Sequence, residues 1–230
     1  MNDAYYKLIS RMIGGLLLAL VFVSGGCTSQ PYVTPDRLNR GLVVVLTGIE
    51  GRSVLNESIA DGLDAGGVSW AIEIKDWTNR WGMFMSLRDE ERNREMAAEI
   101  AERIYRYQLA YPERPVMLVG HSGGGGMAIY TAEKLVGSNI QGVLLLNAAI
   151  SKDYRLMRAL RRSDCGIVNY YSPLDMVVRL GTLVAGTMDS RYSESAGSVG
   201  FEVPTTLPPE YDSLYQIGWS QEMIESFYIG

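Results

Sequence analysis

The 230-residue sequence contains one histidine, His121, and two cysteines, Cys27 and Cys165. A zinc site needs several His, Cys or carboxylate ligands at close spacing, and one histidine with two distant cysteines cannot supply them. We therefore expect no metal site. If Cys27 is modified, Cys165 has no partner left for a disulfide. Because Cys165 precedes the apolar residues of a predicted strand, we expect it to be a buried free thiol.

Basic residues are also scarce. The chain has 21 Lys and Arg against 26 Asp and Glu, which gives a formal net charge of -5. Binding to nucleic-acid phosphates requires Lys and Arg clustered on one face. The clearest basic cluster has a helical spacing that is more typical of a solvent-exposed face. This cluster consists of Arg155, Arg158, Arg161 and Arg162. We therefore expect no nucleic-acid partner.

A long hydrophobic run is lacking as well, because the apolar stretch at residues 12–23 is too short for a comfortable membrane span. Two basic residues precede it and three small residues lead from it to Cys27, which is the layout of a secretory signal. A segment that ends on Gly-Cys resembles a bacterial lipoprotein signal, whose cysteine is lipidated and becomes the new N-terminus. A simple cleaved signal and an uncleaved anchor are the alternatives. We expect an exported protein, anchored to a membrane through Cys27 on the periplasmic or cell-surface side.

Residues 28–40 contain two prolines and mostly polar residues, which predicts an extended tether between this segment and a domain at 41–230. Within that domain, short apolar runs alternate with helical patterns, and the best supported helix covers residues 92–107. Runs such as 42–46 suit strands buried on both faces. The rhythm predicts an α/β fold with a doubly wound, mostly parallel sheet and helices on both faces. Residues 181–209 show little periodicity, which predicts a long loop, and we expect this loop to lie at the rim of the functional site.

The motif Gly-His-Ser-Gly-Gly at residues 120–124 matches G-x-S-x-G. It directly follows a predicted strand and opens a predicted helix over residues 123–136. At such a turn the serine takes a strained backbone conformation and its neighbours must be small, which explains the flanking glycines Gly120, Gly123 and Gly124. A glycine-rich phosphate-binding turn is the alternative, but the lysine that a P-loop requires is missing. Ser122 is therefore the candidate nucleophile.

From about residue 41 onward the chain resembles α/β-hydrolases of the esterase and lipase type, with LVGHSGG as the nucleophile elbow. In that family the loop after the first central strand offers a backbone N–H to the oxyanion, and LTGIEG stands there. The resemblance implies that the N–H groups of Ile49 and Gly123 form the oxyanion hole and that no cofactor is needed. The acid follows the second strand beyond the elbow, which gives Asp175, or Asp189 if the strand count is off by one.

The base histidine of that family follows the last strand, predicted here at residues 214–219, and no histidine follows that segment. The resemblance implies that His121 is a packing neighbour, because adjacent residues on a sharp turn point in different directions. Three interpretations are open. The fold continues beyond residue 230 to the missing histidine, or the chain is an inactive lipid-anchored binding protein, or it keeps weak activity with an altered base. We favour the first, a serine hydrolase acting on carboxylic esters through an acyl-serine intermediate.

The interval between the predicted strands at 142–147 and 166–171 has room for one helix, so we expect no large cap domain there. An open site suits short-chain or bulky esters and other lipid-like small substrates. Apolar residues after the strand ending near Lys75 are candidates for an acyl pocket, although such a group is more often part of a core. They are Trp77, Trp81, Met83, Phe84 and Met85.

Overall fold

The computed structural model describes residues 30–78, 87, 89–172, 186–206 and 208–219. Several residues singled out from the sequence lie outside the described residues. They are Cys27, Asp175, Trp81, Met83, Phe84 and Met85.

Six parallel strands form one sheet in the spatial order β2-β1-β3-β4-β5-β6. The strands are β1 Leu42–Leu46, β2 Ala71–Lys75, β3 Val116–His121, β4 Gly142–Leu146, β5 Ile167–Tyr171 and β6 Leu214–Gly218. The predicted doubly wound, parallel sheet is confirmed. Because β1 and β3 are neighbours at its centre, the loops that follow them meet at one edge.

Within the part of the chain that the structure describes, one helix precedes β1, and further helices and one 3₁₀ turn lie between the strands. The helices are α1 Pro35–Leu38, α2 Val54–Ala65, α3 Glu90–Ala110, α4 Gly123–Lys134, α5 Met157–Leu160 and α6 Ala196–Val199, and the 3₁₀ turn is Pro209–Ser213. The predicted helix over residues 92–107 corresponds to α3, and the predicted helix at the serine turn corresponds to α4. Within the described ranges, no helix combines the length and the apolar character that crossing a membrane requires.

The core lies on both faces of the sheet, as the continuous apolar strands predict. On β1, Val44 points into the larger cluster with Ile104 of α3 and Met127 of α4. The next residue, Val45, points into a second cluster with Ala60 of α2. Helices therefore cover both faces.

Two local expectations were wrong. The helix predicted near residues 152–162 is reduced to the single turn of α5. Lys152 instead uses its backbone to bind a distant segment, since its N–H donates to Glu194 O at 3.1 Å and its carbonyl accepts from Glu202 N at 2.8 Å. Cys165, expected to be buried, is exposed, because it lies in the turn before β5 begins.

Residues 30–40, for which the sequence predicts an extended tether, contact the domain. The side-chain amide of Gln30 pairs with the backbone of Ile74 on edge strand β2, donating to its O at 2.9 Å and accepting from its N at 3.0 Å. Arg37 donates to Asp64 at 2.6 Å and to Trp70 O at 2.8 Å. This part of the chain therefore belongs to the folded unit, and it covers part of the sheet edge.

A buried polar network ties helix α4 to its surroundings. The hydroxyl of Tyr154 donates to both carboxylate oxygens of Glu133 at 3.0 Å. Arg94 of α3 lies 3.6 Å from the same carboxylate and 4.2 Å from the ring centroid of Tyr130. Burial raises the pKa of Glu133 above its usual value of 4.5. Burial of the Glu133 carboxylate is energetically unfavourable, and the Tyr154 hydroxyl and the Arg94 guanidinium offset part of this cost.

Tyr154→Phe is expected to lower the free energy of unfolding by about 1–3 kcal/mol at pH 7, because the Glu133 carboxylate loses a buried donor. Because the pKa of Glu133 is higher in the folded state than in the unfolded state, the folded state is favoured most at low pH, where Glu133 is protonated. This contribution to the free energy of unfolding is lost as the pH rises through the pKa of Glu133 in the folded state. The cost of Tyr154→Phe should therefore be smaller at pH 4.5 than at pH 7, because the raised pKa leaves less of Glu133 ionised at the lower pH. Urea denaturation at both pH values measures it. The exposed Tyr105→Phe is the control, and a cost independent of pH contradicts the assignment.

Candidate active site

Ser122 lies at the turn between β3 and α4, with φ of 52° and ψ of -120°. This positive φ is the strained backbone that the sequence predicts, and it costs about 1–3 kcal/mol. Backbone hydrogen bonds hold the turn in place. Ser122 N donates to Leu146 O at 3.0 Å, while Ser122 O accepts from Gly125 N and Ala149 N, each at 2.9 Å. Ser122 is partly exposed, so a substrate can reach it.

The glycines around Ser122 are explained by close backbone approaches. A β-carbon at Gly124 would overlap the carbonyl oxygens of Leu46 and Thr47, and would lie 2.7 Å from the Leu46 carbonyl carbon. A β-carbon at Gly120 would in turn overlap the carbonyl of Gly124. Helix α4 therefore begins in direct contact with the end of β1, and only glycine permits that contact.

The loop after β1 lies against the start of α4. A β-carbon at Gly123 would be 2.8 Å from Cγ2 of Ile49, so the Ile49 side chain packs directly against the first residue of α4. The loop itself is a tight turn, in which Gly51 N donates to Gly48 O at 3.1 Å. The turn after β1 and the turn after β3 therefore form one cluster at the carboxyl edge of the sheet.

Trp77, a candidate for the acyl pocket, is fully buried and supports this loop. Its Nε1–H donates to Thr47 O at 2.6 Å. Its ring would lie 3.0 Å from a β-carbon at Gly123. Trp77 therefore packs between the end of β1 and the start of α4. The sequence gives no signal for this role beyond the position of Trp77 shortly after β2.

His121 lies beside the loop after β1. Its Nδ1 is 3.9 Å from Oε1 of Glu50, and the side chains of both residues are 20% exposed. The imidazole is therefore within ion-pair distance of a carboxylate on the candidate oxyanion loop. Among the residues that the structure describes, no three His, Cys, Asp or Glu side chains are grouped so that they could hold a metal ion.

Asp189 is the alternative candidate for the catalytic acid, and its side chain forms hydrogen bonds with the segment that follows β4. Its carboxylate accepts from Ser151 N at 3.0 Å, from Ser151 Oγ and from Thr187 Oγ1 at 2.6 Å, and the side chain is 7% exposed. Asp175 lies four residues beyond the end of β5 in the sequence, outside the described residues. Because all strands are parallel, the end of β5 lies at the same edge of the sheet as Ser122.

No family model and no curated protein matches the sequence. Several solved structures can be superposed on this chain, at low sequence identity. The esterase PE8 is 13% identical, with 82% of this chain and 89% of that chain covered and a TM-score of 0.47. The NocB thioesterase domain, solved as a covalent complex with a fluorophosphonate nocardicin G analogue, is 14% identical over 82% and 89% of the two chains, with a TM-score of 0.45.

An esterase domain from a Rhodothermus marinus protein is 14% identical over 82% of this chain and 78% of that chain, with a TM-score of 0.44. Similarity at this level is too distant to transfer an activity. The chemistry of the site therefore rests on the residues of this chain.

Proposed function

We propose that the protein is a serine hydrolase that acts on carboxylic esters through an acyl-serine intermediate, with Ser122 as the nucleophile. The observation that carries the proposal is the backbone of Ser122. Its φ of 52° at a strand-to-helix turn is strain that the chain maintains with three backbone hydrogen bonds. Strain of this kind at a partly exposed serine is typical of a functional site.

The chemistry follows from the two adjacent turns. The Oγ of Ser122 attacks the ester carbonyl carbon, and the carbonyl oxygen becomes the oxyanion of a tetrahedral intermediate. The N–H groups of Ile49 and Gly123 donate to that oxyanion. A base takes the proton of Ser122 and returns it to the leaving alcohol, and water then releases the acid from the acyl-serine. Asp175 is the proposed acid that orients the base.

The base is the missing part of this site. The 230-residue sequence has no histidine other than His121, whose Nδ1 lies 3.9 Å from Oε1 of Glu50. We propose that Ser122 works with a base that is not among the described residues. The single histidine of the sequence also points to a second, less favoured candidate, a binding protein that keeps the fold and has lost catalysis. In both cases we propose a lipid-like small ligand and a membrane anchor at Cys27.

Hydrolysis of p-nitrophenyl butyrate separates these candidates. The 230-residue chain should show no hydrolysis detectable above background, because loss of the base of a serine triad lowers kcat by roughly 10⁶-fold. A chain extended to the natural stop codon should show turnover if the extension supplies a histidine. Vigorous Ser122-dependent turnover by the 230-residue chain would contradict the need for an outside base. A natural stop codon directly after residue 230 supports the binding protein.

A further inference from the structure

We propose that Glu50 is the positioning residue of the oxyanion hole, because its carboxylate fixes the turn at residues 48–51 that presents the N–H of Ile49. This inference rests on the proposed function of the site. Glu50 follows Ile49 directly in the sequence, and its side chain folds back over the turn instead of extending into solvent.

The first contact of Glu50 ties the turn to helix α2. Its Oε1 accepts from Asn56 Nδ2 at 2.9 Å and lies 3.4 Å from Ser53 Oγ. Asn56 is fully buried and its Nδ2 also donates to Gly51 O at 3.0 Å. One buried amide therefore binds both the side chain and the backbone of the same turn. A buried donor shared in this way restricts the turn to one conformation.

The second contact of Glu50 is with Gly48. A β-carbon at Gly48 would overlap Oε2 and would lie 2.7 Å from Oε1 of Glu50. The carboxylate therefore packs against the Cα of Gly48, the residue directly before Ile49. On the other side, His121 Nδ1 lies 3.9 Å from Oε1. Glu50 thus contacts α2, the turn and the residue before Ser122.

The charge of Glu50 is unfavourable for the proposed reaction, whereas its geometry is favourable. A carboxylate beside the site opposes the negative charge that develops on the substrate oxygen. A glutamine keeps the Oε1 acceptor for Asn56 but removes this charge. If Glu50 acts by positioning, Glu50→Gln should therefore retain the function, and Glu50→Ala should lose it.

The test uses the full natural chain with p-nitrophenyl butyrate as the substrate. Glu50→Ala should lower kcat by about 10-fold or more with KM within about 3-fold, because a displaced oxyanion donor acts mainly on the transition state. Glu50→Gln should stay within about 3-fold of the wild-type kcat. The matched control is Glu57→Gln, which removes an exposed carboxylate of α2 that pairs with Arg52. Equal losses in Glu50→Gln and Glu50→Ala would overturn the proposal.

Amide hydrogen exchange tests the same residue without catalysis. Glu50→Ala should speed exchange of the Gly51 N–H, which bonds Gly48 O, by about 10-fold or more, while Glu50→Gln should leave it unchanged. If wild-type Ser122 proves unreactive, the proposed function fails and the exchange data alone decide on Glu50. Unchanged exchange in Glu50→Ala overturns the inference whatever the activity.

A second variant guards against misfolding of Glu50→Ala. Gly48→Ala displaces the Glu50 carboxylate by direct overlap and leaves the Glu50 side chain present. Gly48→Ala should speed amide exchange strongly in the wild-type chain and only slightly in the Glu50→Ala chain. Both substitutions remove the same contact between the Glu50 carboxylate and the turn, so their effects should not add. Additive effects of the two substitutions would contradict the proposal.

Discussion

Gly124→Ala is expected to lower the free energy of unfolding by about 4 kcal/mol or more, or to prevent folding. The added methyl would overlap the carbonyl oxygens of Leu46 and Thr47, which are backbone atoms at the end of central strand β1. Leu46 is paired with Lys75 of β2 and Gly120 of β3, and the Thr47 carbonyl accepts a hydrogen bond from Trp77, so a shift of either carbonyl disturbs these contacts. The loss is therefore steric and affects the centre of the sheet.

The matched control is Gly62→Ala in helix α2, where the added methyl meets no atom within 4 Å. Alanine has the higher helix propensity, so this variant should gain about 0.5–1 kcal/mol. Urea denaturation of both variants gives the comparison. A Gly124→Ala protein as stable as Gly62→Ala would show that α4 does not begin against β1 as described.

Ser122→Ala in the full natural chain is expected to lower kcat by about 10⁴-fold or more, because no other group at the turn supplies a nucleophile. Ser122→Gly should lose activity equally and also gain about 1 kcal/mol of stability, since glycine adopts a φ of 52° without strain. An exposed helical serine, Ser58→Ala, is the control for activity. A Ser122→Ala protein that retains most of its turnover would exclude Ser122 as the nucleophile.

The regular part of the fold could be predicted from the sequence. Continuous apolar runs such as Leu42–Leu46 occur where both faces of a strand are buried, and the apolar positions of α3 recur at helical spacing. The strained turn at Ser122 could also be predicted, because a glycine-flanked serine between a strand and a helix leaves few other conformations.

The contacts that hold the site together could not be predicted. Glu50 is one of 26 acidic residues, and only the folded turn brings its carboxylate onto Gly48 and Asn56. Trp77 was a candidate for a pocket, with a core role the more usual one for such residues, and nothing in the sequence indicates that its indole N–H binds Thr47 O. The helix predicted near residues 152–162 was wrong because Lys152 bonds to residues 194 and 202, and such long-range pairing overrides local propensity.

Reaction of the full natural chain with a fluorophosphonate tests the central claim most directly. We predict one covalent adduct, measured by intact mass and mapped by peptide mass spectrometry to Ser122, and no adduct in Ser122→Ala. Folded protein that carries a base histidine and yet gives no adduct on Ser122, or an adduct on another residue, would contradict the assignment of Ser122 as the nucleophile.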